Sequence, residues 1–434
     1  MQIPYTKRTL ANGLDVIVHE DHQLPMVAVN LWYHVGSKNE RVGRTGFAHL
    51  FEHLMFEGSA HHDRGYFPPL QRAGALLNGS TNADRTNYWE VVPTGALELA
   101  LWMESDRMGY LLPALTEHKF NNQRDVVLNE RRQNYENRPY GLAGIALSSA
   151  MYAAEHPYNW PTIGSAEDLR AATLDLVREF FQTYYHPANA SLSLAGDIET
   201  EQAFELADKY FGELPAGPRV AKVTQAASLS GSRDLVLEDR VELPRLYMSW
   251  HSPAMFGDDD AELDIVADVL AHGKTSRLYK TLVYERRIAT DVSAYQHSRE
   301  MSGLFQVACT AAAGVELKDL HQVVLDTIAE LAVGGPTAAE LERGVAQTEA
   351  QFIYRLQTIG GFGGKGDQLN AYNTFAGDPG YFAEDRQRYL GVTTATAAAA
   401  ADRWLVKAPL VTLSVVPRGK RNLALPGAVE VSVS

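Results

Sequence analysis

Two stretches of this chain repeat each other 219 residues apart, and the repeat limits the fold more than any other feature. Leu24-Pro25 is followed by Val27, Val29 and Leu31 at alternating positions. Leu243-Pro244 is followed by Leu246, Met248 and Trp250 in the same phase. A period of two is the pattern of a strand with one buried face. Each strand leads to an apolar segment of helical character, so the same unit is expected twice. Leu214-Pro215-Ala216-Gly217-Pro218 closes the first copy, and the small, polar run from Gln225 to Ser232 connects it to the second. The expected domains are 1–217 and 233–434, joined by a linker over 218–232, and both fall within the usual domain size. Strands alternate with amphipathic helices such as Ala166 to Tyr185 and Ala338 to Leu356. This predicts an α+β class, with a mainly antiparallel sheet in each half and helices on one face.

The first copy carries His49-Leu50-Phe51-Glu52-His53. Two imidazoles one helical turn apart lie on one face and can close on a single zinc ion. The order is H-x-x-E-H, the inverse of the commoner H-E-x-x-H. Glu52 then sits beside the metal without ligating it, where a general base can take a proton from the attacking water. Phe47, Ala48, Leu50, Phe51, Leu54, Met55 and Phe56 leave this helix no wide polar face. Unpaired imidazoles and a carboxylate buried there would cost several kcal/mol. A metal ion removes that cost, and histidines satisfied by hydrogen bonds are the alternative. The 219-residue offset carries His49 onto Asp268, Glu52 onto Ala271 and His53 onto His272, so the second copy has lost the set.

A catalytic zinc needs a third protein ligand and an open fourth position. The segment from Phe120 to Asn134 has helical character, and Gln123, Val127, Glu130 and Asn134 share one stripe. Glu130 is the carboxylate on that stripe; on spacing alone Glu117 and Glu136 compete with it.

The H-x-x-E-H helix followed by Val126-Val127-Leu128-Asn129-Glu130-Arg131-Arg132 resembles the pitrilysin/insulinase family of zinc metallopeptidases. That family takes its third ligand about 76 residues beyond the second histidine, and 76 residues lie between His53 and Glu130. The resemblance implies His49, His53 and Glu130 as ligands of one zinc ion per chain, with Glu52 as base. Asn78-Gly79-Ser80-Thr81-Asn82-Ala83 resembles the family's substrate-edge strand, which implies a substrate-binding role for Asn82 and Ala83. His156 to Gly164, Tyr185 to Ala190, Ala195-Gly196-Asp197 and Leu356 to Lys365 are similar to the short bacterial members, so the likeness covers nearly the whole chain. It implies two like domains forming half of a clam-shell chamber.

Two departures stand out. Many members carry a second glutamate seven residues before the ligand glutamate; here that place is Gln123. Members also use an arginine and a tyrosine, seven apart, from a second-half domain. The corresponding positions here are Val283 and Thr290, with Arg286 and Arg287 out of register. The resemblance therefore implies a zinc endopeptidase acting on peptides or unstructured segments, as the zinc-bearing subunit of a heterodimer. Its homologous partner would supply the arginine–tyrosine pair, an arrangement similar to mitochondrial processing peptidase. The alternative is a non-catalytic core or assembly subunit of the same fold, and a third reading is a zinc-dependent peptide-binding module.

The formal net charge of −14 argues against nucleic acid and anionic membrane as partners. Cys309 is the sole cysteine, so no internal disulfide can form, and its small apolar neighbours suggest burial. The start Met1-Gln2-Ile3-Pro4-Tyr5-Thr6-Lys7-Arg8 lacks the apolar core of a signal peptide, and no run of about 18 apolar residues suits a membrane span. A cytoplasmic location is expected, or a periplasmic one if a leader was removed. Gly273-Lys274-Thr275 fails as a phosphate loop because Asp268 stands where a glycine is needed. Gly360 to Gly366 follows a helix and lacks the terminal hydroxyl residue, so a substrate-facing, hinge or helix-ending loop is expected. His61-His62-Asp63 reads as a solvated loop.

Overall fold

Val27, Val29 and Leu31 are fully buried on one strand, and Leu246, Met248 and Trp250 on another, as their alternation predicts. The computed structural model describes residues 1–433. Its first six strands are β1 (Thr6–Thr9), β2 (Asp15–Glu20), β3 (Met26–Tyr33), β4 (Leu76–Thr81), β5 (Thr86–Pro93) and β6 (Ala190–Gly196). The second six are β7 (Arg233–Asp239), β8 (Arg245–Ser252), β9 (Ala289–His297), β10 (Gly303–Ala311), β11 (Leu410–Pro417) and β12 (Val429–Glu430). They form two sheets, ordered β1-β2-β6-β3-β5-β4 and β12-β7-β11-β8-β10-β9. Pairing is antiparallel except for β2 with β6 and for β7 with β11 and β12. The 219-residue offset carries the limits of β3 onto those of β8 without a gap. The repeat read from one strand thus extends to five strands of each sheet, and the sixth differs: β1 is antiparallel to β2, whereas β12 is parallel to β7.

The chain divides into two compact units, each assembled from three segments. One comprises 1–131, 160–223 and 351–384; the other comprises 132–159, 224–350 and 385 onward. Each half of the sequence therefore lends a helix to the unit built mainly by the other half.

In the first unit, the helices Leu97–Ala114 and Thr200–Phe211 pack on the apolar face of the sheet. The lent helix, Lys365–Phe375, lies on β2, β3 and β6. It meets the face that carries Asn30, Trp32 and Ser191, opposite Val29 and Leu31. In the second unit, Asp260–Ala271, Leu317–Gly334 and Thr394–Ala401 enclose a core with Met248, Trp250 and Phe305. The lent helix here is Ala143–Met151, which packs on β8 and β11.

Two helical expectations change. Ala166 to Tyr185 is two helices, Ala166–Ala171 and Leu174–Tyr184. Ala172 turns extended, and the Thr173 hydroxyl accepts the Leu176 N–H at 3.4 Å, starting a new helix. The Glu130 helix runs Glu117–Arg131 and then widens into a π turn over Arg132–Glu136, which takes Asn134 off the stripe. Cys309 is fully buried, and burial pushes its thiol up to about 12. No helix among the described residues is long and apolar enough to cross a membrane.

Candidate metal centre

The helix Phe47–Leu54 begins at a crowded point. Gly46 has φ +91, and a side chain there would meet the Ile163 carbonyl and Leu169 at 2.9 Å. Glycine is the residue that tolerates both constraints. Glu40 takes the place of a side-chain cap, accepting the N–H groups of Gly46 at 2.9 Å and Ala48 at 2.8 Å. Asp168 accepts the N–H and hydroxyl of Thr45 at 2.9 and 2.6 Å. Phe47, Ala48, Leu50, Phe51 and Leu54 are buried, and Phe51 stacks on Phe180 at 5.8 Å. Packing on that side turns the half-buried His49, Glu52 and His53 the other way.

The Glu130 helix crosses this face. Oε2 of Glu130 lies 3.7 Å from Nε2 of His49 and 3.5 Å from Nε2 of His53. The three donor atoms lie within 4.8 Å of one another. A tetrahedral zinc ion with bonds of about 2.1 Å sets its ligand atoms about 3.4 Å apart. Two imidazoles and one carboxylate are also a donor set that zinc accepts. The residues fit the ion. Behind them, Arg131 is fully buried and donates to the Gly164 carbonyl at 3.2 Å, fixing the end of the Glu130 helix.

The electrostatics suit a cation. Burial and the neighbouring His53 hold His49 down at about 4, against the pull of Glu130. Burial also disfavours charge on His53, but its bond to Glu130 and the charges of Glu52 and Glu130 outweigh it, so His53 is raised. Glu52 is raised by burial, partly offset by the Thr81 hydroxyl and by the charges of His53 and Arg85. Gln123 donates to Glu57, and its side chain also acts on His53.

Asn82 and Ala83 lie in the turn after β4, not in the strand. Their carbonyls accept the Ser37 and Lys38 N–H groups at 3.1 and 2.9 Å, and the Asn82 N–H is bound to the Arg85 carbonyl. The open hydrogen-bonding edge belongs to β4 itself, the last strand of its sheet. Sequence reasoning missed Glu40, Asp168 and Arg85. A glutamate ahead of a glycine-started helix is a weak signal for Glu40, and nothing local marks the other two.

In the second unit the corresponding helix, Asp260–Ala271, carries a stripe of Asp260, Asp264 and Asp268 that His272 continues. His272 lies 3.5 Å from Asp268, and the charge of Arg343 faces Asp268. Glu349, at the offset position of Glu130, pairs with Arg386. Arginines balance this acidic stripe. Among the described residues, the only other potential metal group is the exposed set Glu20, His22 and Glu199. His61 pairs instead with Asp106, and Asp63 with Lys119.

Comparison with known proteins gives two family matches. The model described as insulinase (peptidase family M16) matches residues 15–163, and the one described as the peptidase M16 inactive domain matches 171–348. Zinc protease PqqE of Helicobacter pylori is 30% identical over 356 residues, covering 81% of this chain and 80% of that protein. The crystal structure of a protease from Helicobacter pylori superposes with a TM-score of 0.88 at 26% identity, covering 95% of this chain and 100% of that one. The periplasmic protease PqqL from Escherichia coli superposes with a TM-score of 0.76 at 17% identity. The match covers 96% of this chain and 48% of PqqL.

Proposed function

Because the chain belongs to the insulinase family of peptidases, peptidase family M16, we propose that it is a zinc endopeptidase for peptides or unstructured protein segments. The supporting observation is the convergence of the donor atoms of His49, His53 and Glu130 within 4.8 Å, with Glu52 half-buried on the same helix as the two histidines. These three residues would hold the ion, which when bound lowers the pKa of a water and polarises the scissile carbonyl. Glu52 takes the proton of the attacking water and passes it to the leaving amine. Burial moves its carboxyl toward neutrality, the direction a base working near pH 7 needs. The peptide pairs with the open edge of β4 through backbone hydrogen bonds, a mode that tolerates many sequences.

The active form in this reading is a heterodimer. The family resemblance implies an arginine and a tyrosine at the places of Val283 and Thr290, and this chain spans about half of PqqL. A homologous chain that keeps the pair completes the site. The test is cleavage of an unstructured peptide by the zinc-loaded chain, alone and mixed with such a partner. Cleavage only in the mixture supports the heterodimer, full cleavage by the single chain overturns it, and peptide binding without cleavage in both favours a non-catalytic subunit.

A further inference from the structure

The first sheet carries a polar face where a helix packs, and that face leads to the candidate site. An apolar contact would be the ordinary solution for a helix on a sheet. Here Asp367, delivered from the far half of the sequence, is buried against β3 and β5. Its Oδ1 accepts Trp32 Nε1 at 2.8 Å, Asn87 Nδ2 at 3.0 Å and Asn30 Nδ2 at 3.3 Å; its Oδ2 accepts the Gly363 N–H at 2.8 Å. Four donors on one buried carboxylate fix its place in all directions. Such a network costs as much desolvation as it returns, so its effect is to specify geometry rather than to add stability.

The chain of bonds continues toward the β4 edge. Asn87 Oδ1 accepts the Ser80 hydroxyl at 2.7 Å. Nη1 of Arg85 donates to the Ser80 hydroxyl at 2.6 Å and to the Ser80 carbonyl at 2.8 Å. The guanidinium lies over Trp32 at 5.1 Å, the same ring that donates to Asp367. Side chains alternate along a strand, so Ser80 faces this network while Thr81 faces the other way. β4 packs against the helix Phe47–Leu54, which carries Glu52, and the Thr81 hydroxyl favours the charged form of Glu52. Burial lowers Arg85, and the charges of Asp367, Glu52 and Asp84 offset only part of that lowering.

The geometry points to Asp367 and Arg85 as positioning residues that set the β4 edge beside Glu52 through the path Asp367–Asn87–Ser80–Arg85. Their hydrogen bonds run to Asn30, Trp32, Asn87, Gly363 and Ser80, so they act on the site through β4. The segment 351–384 is thereby part of the support of the site. The kinetic part of this assignment rests on the peptidase reading; the structural part does not.

The test uses the full chain with Asp367→Asn, Arg85→Met and the double exchange Asn87→Asp with Asp367→Asn, which restores a donor–acceptor pair with reversed polarity. Amide hydrogen exchange is followed over residues 76–93, with β7 and β8 of the second unit, residues 233–252, as internal control. Both single variants should exchange faster over 76–93 only, and the double exchange should recover protection. Unchanged exchange, or a rise across both regions, overturns the assignment whether or not the chain cleaves peptides. Where the parent cleaves, the single variants should raise KM about tenfold with kcat and zinc content nearly unchanged. A fall in kcat with constant KM overturns the positioning of the edge. Where the parent does not cleave, only the peptidase reading fails, and the exchange data alone decide.

Discussion

The Glu40 carboxylate accepts the Ala48 N–H at 2.8 Å, one residue ahead of His49. It also holds the Gly46 N–H, so a buried acid sets where the helix of His49 and His53 begins. Substituting Glu40 by Ala leaves both donors buried and unpaired, at a cost of about 1–3 kcal/mol. Denaturant melts of Glu40→Ala should show that loss, and zinc titration should show weaker binding because the helix start is released.

The same carboxyl makes stability depend on pH. Burial raises Glu40 to about 8, above its ordinary value of about 4.3 in an unfolded chain. Between those values the folded state holds a proton that the unfolded state has lost. Stability therefore falls as pH rises through this window, by at most about 1.4 kcal/mol per unit. Glu40→Gln keeps the shape and removes the titration, so its melts from about pH 5 to about pH 8 should show a shallower decline than the parent. Parallel curves would show that Glu40 is ionised in the fold.

Asp264 makes a similar contribution in the second unit. Burial, with the charges of Asp260 and Asp268, raises it to about 7, against the Tyr389 hydroxyl at 2.7 Å and the charge of Arg388. The sign is the same: stability is lost as pH rises from about 4 toward 7. Asp264→Asn should flatten that part of the curve and leave zinc content unchanged, since the residue lies in the unit without the metal set. Altered zinc content would tie the two effects together.

Much of this was legible because periodic patterns report burial directly. Val27, Val29 and Leu31 marked a core strand, and the same phase at Leu246, Met248 and Trp250 marked the repeat. The spacing of His49, Glu52 and His53 marked one helix face. What stayed hidden is non-local. No pattern near Asp367 says that it will reach Trp32 and Asn87 across 335 and 280 positions. Nor does the apolar periodicity of Ala166 to Tyr185 register a break, because Thr173 acts through a single capping bond. Asn82 and Ala83 look like strand residues until Ser37 and Lys38 are seen to occupy their carbonyls.

Glu130 was the weakest of the metal assignments on spacing alone, and its distances of 3.7 and 3.5 Å to the two imidazoles make it testable. Elemental analysis of the parent should give one zinc per chain. Glu130→Ala removes one of the three candidate protein ligands, a larger change than replacing a group that hydrogen-bonds a ligand, which costs about 10–100-fold in affinity. Zinc should then be lost on dialysis. Equal zinc in both proteins would move the site elsewhere.

Glu52 separates catalysis from binding. It shares a helix face with His49 and His53 but is absent from the set whose donor atoms converge. Glu52→Gln preserves volume and hydrogen bonding while removing the ability to accept a proton. It should bind zinc like the parent and bind peptide with similar affinity. Its kcat should fall by about 10²–10⁴-fold, the usual worth of a positioned general base. If the paired chains cleave equally fast with Gln at 52, another group takes the proton and the assignment of Glu52 is wrong. If zinc is lost as well, Glu52 is a ligand, and one of His49, His53 and Glu130 is not.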